Sequence, residues 1–76
     1  MSNQEEIERI IITVDDTHLP DIQSVANHLQ QEGMSVENIL AISGIITGAV
    51  PCSRKASLQK VPGVASLEDE GQVWAI

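Results

Sequence analysis

Apolar residues alternate with polar breaks along the chain, and their spacing predicts strands and helices in turn. The first apolar segment, Ile7–Val14, is rich in β-branched residues on both faces, which is typical of a strand inside a sheet. The break that follows contains Asp16 and Thr17, either of which can cap a helix with Pro20 in its first turn. Gly33 ends this helix where a left-handed residue is usual.

The first helix is predicted from one stripe of apolar residues at three- and four-residue spacing. The stripe consists of Leu19, Ile22, Val25, Ala26 and Leu29. Two further apolar segments, residues 36–43 and 45–50, flank Gly44 and have the composition of a β-hairpin, which Pro51 closes.

A shorter second helix is predicted over residues 54–61, with Ser53 as its cap. Its Leu58 and Val61 lie three residues apart on one face. The dipeptide Pro62-Gly63 stops this helix, and residues 64–67 form a short strand. Residues 72–76 are a candidate for further extended chain.

This order of elements is that of the ferredoxin-like β-α-β-β-α-β arrangement. We therefore expect an α+β two-layer sandwich, in which a four-stranded antiparallel sheet carries both helices on one face. The first and last strands are expected to be innermost. Ile11 lies on the opposite side of its strand from Ile10 and Ile12, and Ile45 and Ile46 likewise point to opposite sides. The uncovered sheet face should therefore keep aliphatic side chains, as a docking surface or homodimer contact.

Composition limits the size and class of the protein. The 76 residues are expected to form a single domain, residues 1–76, with residues 1–6 disordered. A chain this short buries only about 60–65% of its unfolded surface. Eleven acidic and four basic residues give a net charge of −7, so neither nucleic acid nor an anionic membrane is an expected partner.

The chain carries no pattern of a membrane span or signal peptide, which predicts a cytoplasmic location. His18, His28 and the single Cys52 lack the spacing of metal ligands, so no metal or other cofactor is expected. No nucleophile elbow surrounds any serine, and we do not expect an enzyme. The basic residues of the second helix, Arg54, Lys55 and Lys60, are interpreted as solvating that helix.

The closing segment of the chain resembles a known family. Val61-Pro62-Gly63-Val64-Ala65-Ser66-Leu67-Glu68-Asp69-Glu70 is similar to the end of subtilisin propeptides, peptidase inhibitor family nine, and the resemblance is strongest over residues 39–76. Gly44-Ile45-Ile46-Thr47-Gly48 resembles the central hairpin of that family. No protease domain follows in this sequence, so the resemblance is to the free-standing inhibitors. It implies an inhibitor or folding chaperone of a subtilisin-type serine protease.

The resemblance also implies which residues contact the protease. Acidic residues just before the family's tail cap two surface helices of the enzyme, and their positions fall on Glu68 and Glu70. The tail lies extended in the substrate groove, with its last residue before the scissile bond. Its residues here are Val73, Trp74, Ala75 and Ile76.

Two other interpretations stay open. One is a small regulatory or ligand-binding module, similar to amino-acid-binding ACT domains, that acts as a dimer through the sheet. The other is a small enzyme or accessory subunit, which would require a pocket with perturbed titrating groups. The inhibitor needs only a monomer or a weak homodimer, and the fold alone does not decide between them.

Overall fold

The computed structural model of the protein describes residues 6–69. Four strands and two helices follow one another in the predicted ferredoxin-like order, and the α+β two-layer fold is confirmed. The elements are β1 (Ile7–Val14), α1 (Ile22–Gln31), β2 (Ser35–Leu40), β3 (Ile45–Pro51), α2 (Lys55–Leu58) and β4 (Val64–Asp69). A short 3-10 segment precedes each helix, Asp16–Asp21 before α1 and Cys52–Arg54 before α2.

The sheet is antiparallel throughout its neighbouring pairs, in the order β2-β3-β1-β4. The expectation that the first and last strands are innermost is wrong for β4, which is an edge strand. The physical reason is that the hairpin folds β3 back between β1 and β2, and the second crossover carries β4 to the free side of β1. The central position predicted for β1 from its two apolar faces is confirmed.

The core lies between the sheet and the two helices and is aliphatic. Alternate residues of β1 enter it, and Ile10 and Ile12 have no exposed surface. α1 contributes four buried residues, Ile22, Val25, Ala26 and Leu29, as its stripe predicted. Burial of each large aliphatic side chain contributes about 1.5–3 kcal/mol to stability. Burial of this core is therefore the main favourable contribution to folding.

The first helix begins later than its predicted caps, Asp16 and Thr17, would place it. Asp15 caps the 3-10 segment that precedes α1, and its carboxylate accepts a hydrogen bond from the His18 backbone N–H at 2.9 Å. The chain then forms a 3-10 segment that contains Pro20 before α1 starts. Leu19 lies in this segment and still packs, half-buried, against the core.

The second helix is shorter than the predicted 54–61. Ser53, the predicted cap, lies inside the 3-10 segment and not at the start of a helix. The N-cap of the 3-10 segment is Pro51 and that of α2 is Arg54, and neither residue caps through its side chain. Leu58 and Val61 are nonetheless buried, as their spacing predicted. Three-residue turns continue past the helix to Val61, which is why the apolar spacing extends further than the α-helix does.

The hairpin departs from regular geometry at two glycines. β2 ends at Leu40 instead of residue 43, and Gly44 closes the turn with a φ of +72° and an N–H that donates to the Leu40 carbonyl oxygen at 2.9 Å. Gly48 lies where β2 approaches β3 so closely that a Cβ would stand 2.0 Å from the Ser35 carbonyl oxygen. Only glycine fits such an approach of two backbones.

Candidate functional site

The sheet face that carries no helix, called here the uncovered face, is the candidate site. Because Ile10 and Ile12 point under the helices, their alternates on β1 point to this face. Ile11 lies opposite Thr47 of β3, and Thr13 lies opposite Ile45. Residues paired across strands share a face, so β1 and β3 form the centre of this surface.

Aliphatic side chains remain on the uncovered face, as the sequence predicted. Ile11 and Ile45 are half-buried at its centre. Leu40, paired with Ile45, and Ile7, near one end of β1, are 48% and 61% exposed. Ile42, in the turn that follows β2, is fully exposed. The face therefore offers apolar surface along two central strands and one corner.

Glu68 is the one predicted contact residue within the described chain. β4 pairs with β1 so that Glu68 lies opposite Ile11, and both side chains belong to the uncovered face. Glu68 is exposed, and no ion pair within residues 6–69 neutralises it. The other predicted contacts lie outside the described residues, namely Glu70, Val73, Trp74, Ala75 and Ile76.

An ion pair crosses the uncovered face. Arg9 of β1 donates to both carboxylate oxygens of Glu37, at 2.5 and 3.1 Å, over the intervening strand β3. The register of β2 shifts between Val36 and Asn38, and this bulge turns Glu37 toward Arg9. The guanidinium beside it lowers the pKa of the Glu37 carboxyl. The charge of Glu37 is therefore balanced by Arg9, whereas Glu68 has no such partner within residues 6–69.

On the opposite, helix-bearing face, Lys55 makes two ion pairs. Its Nζ lies 2.8 Å from Glu8 Oε1 and 2.5 Å from Asp69 Oδ1. These carboxylates, that of Asp69 first, raise the pKa of the Lys55 ammonium. The interpretation of Lys55 as a merely solvating charge is therefore wrong. No sequence signal could have shown this, because Glu8 precedes Lys55 by 47 residues.

Cys52 is exposed and contacts Glu8, one of the two carboxylates that pair with Lys55. Its thiol donates to Glu8 Oε2 at 3.2 Å, and that carboxylate raises the pKa of the thiol. A thiol held in its protonated form is a poor nucleophile and a poor metal ligand. The sequence singled Cys52 out only as a cysteine without a partner.

The histidines serve local structure. His18 Nδ1 lies 2.7 Å from the Asp15 carboxylate at the start of the 3-10 segment, and His28 Nε2 lies 4.0 Å from Glu32 at the end of α1. Across the described part of the chain, no group of three or more histidine, cysteine or acidic side chains could hold a metal ion.

A shallow groove of about 210 Å³ runs between the end of α1 and α2. Its lining residues are His28, Glu32, Ser57, Lys60, Val61 and Pro62. Both an acidic side chain, Glu32, and a basic one, Lys60, line it, so the groove favours neither an anion nor a cation. The uncovered face remains the stronger candidate for a binding surface.

Comparison with protein-family models, with curated proteins and with solved structures yields no match to this chain. The sheet geometry and the closing segment of the sequence are therefore the features of this chain that bear on its function. Of the helices within residues 6–69, none has the length and apolar character required to cross a membrane.

Proposed function

We propose that the protein inhibits, or assists the folding of, a subtilisin-type serine protease, to which it binds through the uncovered face. The observation that supports this most directly is the position of Glu68, exposed and opposite Ile11 on that face. The resemblance to subtilisin propeptides assigns this residue to the N-terminus of a helix on the protease. A carboxylate that caps a partner's helix has to lie on the docking face, and Glu68 meets that condition.

The apolar residues and the carboxylate have different tasks in this complex. Burial of Ile11, Ile45 and Leu40 against the protease removes apolar surface from water, and this is the main favourable contribution to binding. An exposed carboxylate at a helix N-terminus contributes only about 0.3–1 kcal/mol. Glu68 therefore mainly fixes the orientation in which the sheet lies on the helices.

The segment that follows β4 completes the inhibitor. Glu70 caps a second helix, and residues 73–76 run extended along the substrate groove, adding a strand through main-chain hydrogen bonds. Val73 fills an apolar pocket of the groove. The α-carboxylate of Ile76 lies near the catalytic serine and oxyanion hole, as that of a bound product does.

Affinity depends on how far the domain is organised before it binds. A fold that forms only on the protease subtracts its ordering cost from the contact energy. The aliphatic core described above is small, so the isolated domain should be a weak or temporary inhibitor that the protease can itself digest.

The test of this docking mode is the substitution Glu68→Gln, which removes the charge and keeps the shape. The inhibition constant for a subtilisin-type protease should rise about 2- to 5-fold, because the helix-capping charge is lost. The measurement is steady-state inhibition of hydrolysis of a chromogenic peptide.

Glu32→Gln is the matched control, because Glu32 lies near the end of α1 on the helix-bearing side. It should leave the inhibition constant unchanged. Equal constants for the Glu68 and Glu32 variants would contradict capping by Glu68.

A homodimer through the same face is the second candidate. The exposed surface of Ile7 and Leu40 favours it, since these side chains would be covered by a second copy. Sedimentation equilibrium separates the two proposals. A dimer that persists at micromolar concentration would support an ACT-like regulatory module, and a monomer would support the inhibitor.

A further inference from the structure

We propose that Lys55 is a positioning residue that holds β4 in place at Asp69, and so positions the strand from which residues 70–76 continue. The three residues Glu8, Lys55 and Asp69 are called here the Lys55 bridge. This inference rests on the proposed function, because it assigns to the bridge the orientation of the inhibitory segment.

The bridge joins three elements at one corner of the helix-bearing face. Asp69 pairs with Ile10 in the sheet register, and Glu8 lies two residues along β1 from Ile10. Asp69 and Glu8 are therefore diagonal neighbours on one face, within reach of a single long side chain. Lys55, the first residue of α2, contacts both carboxylates.

The charges make this arrangement dependent on the lysine. Two carboxylates at neighbouring positions of one face repel each other, and the Lys55 ammonium replaces that repulsion with two attractions. The Lys55 side chain is 27% exposed, less than those of Glu8 at 32% and Asp69 at 55%. Lys55 is thus the best shielded member, and its loss should affect both strands.

β4 needs such a tie because it is an edge strand. Within residues 6–69 it pairs with β1 alone, and Asp69 lies opposite Ile10 in that pairing. Edge strands open more readily than central strands, because fewer contacts hold them. The Lys55 bridge holds β4 to β1 and α2 at Asp69.

The consequence for inhibition is one of preorganisation. A segment whose starting point is fixed loses less conformational freedom when it enters a cleft than one whose attachment also moves. Glu68, on the other face of β4, is held in place in the same way. The bridge should therefore improve inhibition without contacting the protease.

The experiment compares Lys55→Gln with Lys60→Gln, which removes the same charge from the exposed Lys60 just beyond α2. Amide hydrogen exchange of residues 67–69 should be about 2- to 5-fold faster in the Lys55 variant, as the loss of a partly exposed ion pair implies. The inhibition constant for a subtilisin-type protease should rise by a similar factor. Lys60→Gln should match the wild-type chain in both, and Lys55→Arg should restore both.

A second variant serves if Lys55→Gln also lowers the global stability of the domain. Asp69→Asn weakens only the contact between Lys55 and β4. It should likewise make exchange of residues 67–69 faster and raise the inhibition constant. Unchanged exchange of residues 67–69 in both variants would overturn the bridge. Faster exchange with an unchanged inhibition constant would overturn its positioning role.

Failure of the proposed function gives a different result. In that case the wild-type chain itself does not inhibit, and the positioning role falls with it. The exchange rates still decide whether Lys55 holds β4 in place at Asp69.

Discussion

Three carboxylates of the described chain, Glu8, Asp15 and Glu37, have hydrogen-bonded partners that lower the pKa of each carboxyl. The principal partners are Lys55, His18 and Arg9 respectively. The thiol of Cys52 also donates a hydrogen bond to Glu8 and lowers the same pKa. At residue scale, the protein therefore ties its strands and its first turn together through ionised carboxylates at the surface.

The pH dependence of stability follows from these directions. A carboxyl whose folded pKa is below its unfolded value stabilises the fold at pH above the unfolded value, about 4, and this contribution disappears as pH falls through the folded value. The free energy of unfolding should therefore be lower at pH 2.5 than at pH 6. Urea unfolding at a series of pH values measures it.

A single substitution distinguishes the contribution of these hydrogen-bonded carboxylates from the general effect of acid on stability. Glu37→Gln removes one of the three carboxylates, so the free energy of unfolding should fall less steeply below pH 4 in this variant. Ser43→Ala, in the hairpin turn, should leave the pH dependence of that free energy unchanged. Equal urea midpoints at pH 6 and pH 2.5 for the wild-type chain would contradict this description of the surface pairs.

At the scale of elements, α2 depends on tertiary contacts more than any other. It has four residues, far fewer than the roughly 12–15 that an isolated helix needs to be even marginally stable in water. Leu58 is its only buried residue and has no exposed surface. Burial of Leu58 in the core anchors the helix, and the Lys55 bridge holds its first residue.

Leu58→Ala should therefore destabilise the protein by about 2–5 kcal/mol, because it removes the anchor and leaves a cavity in the core. Chemical denaturation followed by circular dichroism measures this loss. The matched change Ala56→Ser, at an exposed position of the same helix, should cost less than about 1 kcal/mol. If both variants unfold at the same urea concentration, Leu58 is not the anchor.

Elements with strong local patterns were predictable from the sequence, and those set by distant contacts were not. β1 was evident from its β-branched run, and the inward face of α1 from its apolar spacing. The late start of α1 was not, because Asp15 and Pro20 favour a 3-10 segment that has no periodic signature. The end of β2 was misplaced by three residues because Ala41 and Ile42 are apolar residues exposed in a turn.

The candidate site divides in the same way. An uncovered face with aliphatic residues followed from β1, where Ile11 alternates with buried neighbours. The Lys55 bridge did not follow, since its three members are separated by 47 and 14 residues and meet only through the topology of the sheet. Charge pairs between distant segments become visible only when the strand order is known.

At the scale of the whole molecule, the two faces of one sheet differ in what they carry. The helix-bearing face holds the core and the Lys55 bridge, and the uncovered face presents apolar surface and Glu68, which in our proposal contact the protease. This fold serves many unrelated functions, so the difference between the faces does not by itself name a partner. The proposal of a protease partner depends on Glu68 and on the segment after β4.

The measurement that tests this proposal most directly is inhibition of a panel of subtilisin-type proteases by the intact chain and by a version that ends at Gln72. Removal of residues 73–76 takes away the segment that occupies the cleft and leaves all of residues 6–69 intact. The proposal predicts inhibition by the intact chain, its loss in the shortened chain, and equal unfolding midpoints for the two. Equal inhibition by both versions, or no inhibition by either while the chain survives undigested, would contradict it.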